Sequence, residues 1–100
     1  MKCIISGHNL NNGKSLEAYV EKKLHDNVEK YFHDAVTSIV TFEKVKNDFY
    51  ANIEVHEGTG KKQHFDAKAS DKNIYKAFNL ALDKELKQLR RFKDRLDTHH

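Results

Sequence analysis

One hundred residues suffice for one domain with one core and leave no room for a second domain or a deep interdomain cleft. A charged fraction of 33% beside a hydrophobic fraction of 38%, with aromatic and β-branched residues throughout, excludes disordered composition, and the lone Cys3 excludes an internal disulfide framework and agrees with a reducing, cytoplasmic compartment. The net charge of +3 is unevenly placed, since residues 1–50 hold seven Lys or Arg against seven Asp or Glu while residues 51–100 hold eleven against eight, and the basic excess of the second half points to an anionic partner.

Lys2 to His8 is short, rich in β-branched residues and closed by Gly7, which predicts a first strand paired along its whole length inside a sheet, with Cys3 in the core. No hydrophobic run here or elsewhere is long enough for a signal peptide or a membrane span. Asn9 to Gly13 supplies a turn, with Asn12 or Gly13 as the helix N-cap. From Ser15, the residues Leu16, Tyr19, Val20, Leu24, Val28 and Phe32 recur at helical spacing opposite a face of mixed sign that carries Glu17, Glu21, Lys22, His25, Asp26 and Glu29.

After His33 and Asp34 the period becomes two. Val36 to Val45 and Phe49 to Val55 alternate as half-buried strands joined by a turn at Lys46 to Asp48, and a second turn at Glu57-Gly58-Thr59-Gly60 leads to a fourth strand on which Gln63, Phe65, Ala67 and Ala69 share a face. Asn73 to Leu96 then forms the longest helix. Tyr75, Phe78, Leu82, Leu89, Phe92 and Leu96 fall on one stripe, with Ile74 and Leu86 at its edges and the Tyr75 ring expected against the sheet. The fold class is α+β, in the order β-α-β-β-β-α, as a four-stranded sheet with two helices packed on one face. Residues 1–97 make a single domain and residues 98–100 a C-terminal tail.

The chemistry-bearing residues point away from catalysis. His8, His25, His33, His56 and His64 show no paired metal-ligand spacing, and His99 and His100 read as a tail. No nucleophile elbow, phosphate loop or zinc-protease run accompanies Cys3, so neither an enzyme nor a cofactor or metal site is expected. What remains is the cation ribbon of the last helix, where Lys84, Lys87, Arg91 and Arg95 point away from the stripe at spacings that could follow a phosphate backbone, with Lys61, Lys62, Lys68, Lys72, Lys76, Arg90 and Lys93 adding to the excess. A solvated face explains such a ribbon too. The charge pattern by itself leads to a small RNA-binding module of the kind that reads duplex RNA by shape.

The segment Tyr75-x-Ala77-Phe78, followed by Asp83-Lys84 and by Gln88-Leu89-x3-Lys93-x2-Leu96, after an opening strand ending in Ile5-Ser6-Gly7, resembles the ribosome hibernation promoting factor family, also called ribosome-associated inhibitor or sigma-54 modulation proteins. Asn73 and Asn79 stand where the family usually has Asp, and the Thr common before the first helix is replaced near Gly13. The resemblance implies a cytoplasmic stationary-phase or stress factor that binds the small ribosomal subunit and its rRNA in the mRNA and tRNA channel and inhibits translation. It also implies rRNA-binding positions at Lys23, Lys84, Lys87, Arg91 and Lys93, to which the charge pattern adds Arg90 and Arg95. Since the chain ends before any dimerising second domain, it resembles the short form, a monomer when free, which acts with a separate ribosome modulation factor to give inactive ribosome dimers. The alternative is a free double-stranded-RNA or regulatory RNA-binding module not tied to the ribosome.

Overall fold

The computed structural model describes the chain except residues 9, 11–12, 33–35, 59–62 and 98–100, and describes residues 96 and 97 by their backbone alone. Its elements are β1 (Lys2–His8), α1 (Lys14–Val28), β2 (Val36–Val45), β3 (Asp48–Glu57), β4 (His64–Asp71) and α2 (Ile74–Asp97). The expected order and fold class hold. The sheet runs β1-β2-β3-β4, with β1 parallel to β2 and the other pairs antiparallel. A parallel pair cannot be closed by a tight turn, and the crossover that joins β1 to β2 is α1.

Alternation sorts the strands into two faces. Val36, Val40, Phe42, Ala51, Ile53, Val55, Phe65 and Ala67 are buried toward the helices. Tyr50, Asn52, Glu54, His64, Asp66 and Lys68 occupy the opposite phase and line the open face. Leu16, Val20, Leu24 and Val28 of α1 and Phe78, Leu82 and Leu89 of α2 complete one continuous core. The β2–β3 loop is only Lys46 and Asn47, since Val45 pairs with Asp48, and Lys46 takes a positive φ of 58°. That left-handed conformation lets so short a loop follow the twist of its strands.

The structure corrects several expectations. β1 is paired along its whole length but on one side only, so it is an edge strand rather than an interior one, and Cys3 is half-buried at the margin of the core. Phe32 lies beyond the end of α1 and is held in a cluster with Phe65 and Phe92. Gly13 is the N-cap, without a side-chain hydrogen bond, and Asn12 lies outside the described residues.

The buried arc of α2 is turned toward Ala77, Ala81 and Glu85, all fully buried, while Tyr75 is 36% exposed. The Tyr75 ring meets Tyr19 of α1 edge-on at 5.1 Å rather than the sheet. Large apolar residues dominate a periodicity reading, so two alanines and a glutamate at the centre of the contact went unseen. Glu85 is the exceptional member. Among the described residues neither carboxyl oxygen has a hydrogen-bond partner, and burial, with Asp66 and Glu54 adding to it, pushes the carboxyl up to about 8.

Candidate nucleic-acid interface

α2 begins at a built cap. Asn73 Oδ1 accepts from the backbone N–H of Tyr75 at 2.9 Å and of Lys76 at 3.3 Å, while the Asn73 N–H donates to Asp71 Oδ2 at 2.8 Å. Neutral Asn73 therefore serves the cap with its side-chain oxygen. From this fixed start the helix runs 24 residues, about 36 Å at 1.5 Å per residue.

The candidate cations divide into three groups. Lys87, Arg90 and Arg91 are exposed and, among the described residues, engaged in no ion pair. Lys84 and Arg95 are exposed on the flank beside β4: Lys84 Nζ donates to the main-chain oxygen of Lys68 at 3.0 Å, and Arg95 lines a cleft with Phe65. Lys23 and Lys93 are half-buried on the seam between the helices. Lys23 Nζ stands 5.6 Å from the centre of the Tyr19 ring, and Lys93 Nζ donates to the main-chain oxygen of Lys30 at 3.4 Å. The seam is fixed by Tyr19, whose hydroxyl donates to Asn79 Oδ1 at 2.8 Å and whose ring also packs edge-on against Phe78.

Three expected contributors sit elsewhere or outside the described residues. Lys68 projects from the open face of the sheet, its ammonium 5.5 Å from the Tyr50 ring centre, and lines a cleft there with Lys84 of α2. Lys61 and Lys62 lie outside the described residues, as do His33, His99 and His100. Asp83 and Asp94 are exposed acids on the ribbon's own helix, so the surface is basic but not uniformly so.

Gln88 was missed. One turn beyond Lys84, its Nε2 donates to the main-chain oxygen of Asp66 at 2.6 Å, so Lys84 and Gln88 together occupy outward carbonyls of the edge strand β4. Covering an edge in this way removes a template for pairing with another chain. The four-residue spacing of a long polar pair beside a strand is the only sequence signal for it, and it requires knowing which flank of α2 meets β4.

The Cys3 thiol is pushed up by burial first and by the nearby Glu21 second, which disfavours the reactive thiolate. His56 and His64 face each other across β3 and β4 with ring centres 4.4 Å apart and nearly parallel planes, a stacked cross-strand pair. Among the described residues no three metal-ligating side chains gather, and no helix is long and apolar enough to cross a membrane.

The family described as sigma 54 modulation protein / S30EA ribosomal protein matches residues 3–97. A ribosome hibernation promotion factor of Rhizobium meliloti (strain 1021) is 31% identical over 100 residues, which cover all of this chain and 52% of that protein. The chain thus spans about half the length of this curated relative. Among solved structures, the Protein Y N-terminal domain of Thermus thermophilus superposes with a TM-score of 0.80 at 26% identity, covering 92% of this chain and 99% of that one. A ribosomal subunit interface protein from Coxiella burnetii superposes with a TM-score of 0.82 at 22% identity, over 94% of this chain and 99% of that one, and has the same fold.

Proposed function

The chain belongs to the sigma 54 modulation protein / S30EA ribosomal protein family, and from that premise we propose that it is a ribosome hibernation factor that binds the small ribosomal subunit in its mRNA and tRNA channel and inhibits translation. The observation that carries this reading is the exposed trio Lys87, Arg90 and Arg91, cations without ion-pair partners among the described residues on a helix whose other side is locked into the core. Cations already neutralised by carboxylates gain little from a phosphate. Free ones release the counterions of each phosphate they meet.

The mechanism requires no bond to be made or broken. Successive exposed cations one turn apart, such as Lys87 and Arg91, rise by about 6 Å along α2 and contact phosphates of one RNA strand, while Lys23 and Lys93 on the seam reach a second. A module of fixed shape held across the channel excludes mRNA and tRNA sterically. The names of two relatives, a ribosome hibernation promotion factor and a ribosomal subunit interface protein, support this reading. Free chain is a monomer in this proposal, and inactive ribosome dimers form with a separate ribosome modulation factor.

Sedimentation with purified ribosomal subunits tests the assignment. The chain is expected to migrate with the small subunit, to compete with tRNA there, and to be released steeply by salt. Binding to a bare RNA duplex with absence from every ribosomal fraction would favour the free RNA-binding module instead.

A further inference from the structure

The two edges of the sheet are finished differently. At β4, Lys84 Nζ and Gln88 Nε2 donate to the outward carbonyls of Lys68 and Asp66, so α2 closes that edge. At β1, pairing with β2 uses one side of the strand, and among the described residues no hydrogen bond reaches the other side. An open edge presents a row of backbone donors and acceptors to an extended chain laid beside it.

The surroundings of this edge specify what such a chain carries. Cys3 and Ile5 are half-buried at the margin of the core, whereas Lys2, Ile4, Ser6 and His8 are exposed in the opposite phase. Ile4 is 41% exposed and pairs with Ile39 of β2, which makes the open face apolar near the edge. On the helix side, the flank of α1 turned away from α2 carries Glu17, Glu21 and Glu29, with His25 paired to Glu29 and Lys14 at the start of the helix. Glu21 and Glu29 stand near enough for their charge to act on the Cys3 thiol, as does the positive amino terminus. Carboxylates thus overhang the open edge.

A strand added there points alternate side chains to opposite faces. Those on the α1 side meet Cys3 and Ile5 first and the carboxylates beyond, which suits the aliphatic stem and cationic tip of lysine or arginine. Those on the other side meet Ile4, which suits a β-branched apolar residue. A second copy of this chain is the wrong occupant, because antiparallel pairing of β1 with itself sets both α1 helices on one face with their glutamates confronted. We propose that the free edge of β1 is the docking site of an extended basic segment of a partner protein, in which lysine or arginine alternates with apolar residues, added to the sheet as a further strand. β1 lies at the side of the sheet opposite β4, and α2 packs on β3 and β4, so the edge stays open while the cations of α2 are occupied.

The test uses the full chain and short synthetic peptides with capped ends. A peptide of alternating lysine and valine is expected to bind and to shift the backbone amide resonances of Lys2 to His8. Its glutamate–valine counterpart should bind about tenfold more weakly, because like charges then confront each other across the edge. Methylating alternate backbone nitrogens of the basic peptide blocks the hydrogen bonds along one of its sides, so one phase should abolish binding and the opposite phase should leave it nearly intact. Glu21→Gln combined with Glu29→Gln should weaken the basic peptide several-fold, whereas Lys87→Gln, on α2, should not weaken it. Equal behaviour of the two methylated phases, or equal binding of the acidic peptide, would show attraction without strand pairing and overturn the proposal, as would failure of the basic peptide to bind. A dimer of the free chain in sedimentation equilibrium that perturbs the β1 amides also overturns it, by giving the edge to a second copy. Small-subunit sedimentation of the doubly substituted chain, expected to match the parent, keeps this result separate from the RNA-binding function.

Discussion

The two helices lie on the same face of the same sheet, yet they dispose of their charges in opposite ways. In α1 the buried stripe is wholly apolar, Leu16, Val20, Leu24 and Val28, and the outer face carries two side-chain pairs one turn apart, Lys22–Asp26 at 3.0 Å and His25–Glu29 at 2.6 Å. In α2 the cations Lys87, Arg90 and Arg91 have no such partners among the described residues, and the stripe is interrupted by the buried carboxyl of Glu85. α1 pairs part of its outer charge within itself and offers Lys23 at the seam. The other keeps an unneutralised surface and a costly interior, which is what separates an interface from a solvated face.

The largest effect that could break this contrast is on binding. Changing Lys87, Arg90 and Arg91 to Glu leaves the core untouched and, as exposed substitutions, should alter stability by only about 0.5 kcal/mol each. Affinity for small subunits is expected to fall by about a hundredfold or more, and the logarithmic salt slope to shrink by roughly three units, one per lost phosphate contact. The matching change in α1, Glu17 and Glu21 to Gln, should leave both unchanged. A folded triple variant that sediments with subunits as the parent does would make the two helices equivalent and remove the basis of the proposed function.

Next comes the interior of α2. The Glu85 carboxyl, near 4.5 in the unfolded chain, is raised to about 8 in the fold, so the native state binds a proton more tightly than the unfolded one. Its stabilising share is therefore fully present below about pH 4.5, and it is lost as pH rises through about 8, over a range of a few kcal/mol. Urea unfolding from pH 5 to 9 should show stability declining with pH in the parent and a flatter profile in Glu85→Gln. Glu85→Leu, which removes two unpartnered oxygens from the core, should stabilise the chain by about 2 to 4 kcal/mol at pH 8. No stabilisation at that pH would mean that the carboxyl finds a partner in solution.

Smaller effects sharpen the boundary between the helices. Tyr19→Phe removes the hydroxyl that reaches Asn79 and should cost about 1 kcal/mol, read as a lower urea midpoint with unchanged slope. It should also loosen the seat of Lys23, whose ammonium lies by the same ring. Smallest of all, Asp26→Asn breaks the exposed pair with Lys22 and should change stability by less than about 0.5 kcal/mol, since both partners remain hydrated.

Much of the architecture was legible because it rests on local periodicity. The alternation of Val36 to Val45 and of Phe49 to Val55, the four-residue recurrence of Leu16, Val20, Leu24 and Val28, and the long stripe ending near Leu96 each report a conformation that a few neighbouring residues enforce on one another. The same holds for the exposure of Lys84, Lys87, Arg91 and Arg95, which follows from their angle to that stripe. Family membership was legible too, because the spacing of Tyr75, Phe78, Asp83, Lys84, Gln88 and Lys93 survives in the chain itself.

Tertiary structure alone decided the rest. Nothing in Lys2 to His8 reveals that β1 has a neighbour on one side only, since pairing partners lie more than thirty residues away. Likewise, Lys68 and Lys84 are equal cations in the sequence, but alternation along β4 sends the first to the open face while the second turns back to the Lys68 carbonyl. Glu85 reads as one more surface acid until α2 is set against β3 and β4. A residue's period fixes its direction relative to its own element. Burial and charge pairing depend on which other element stands in that direction, and only the assembled fold supplies it.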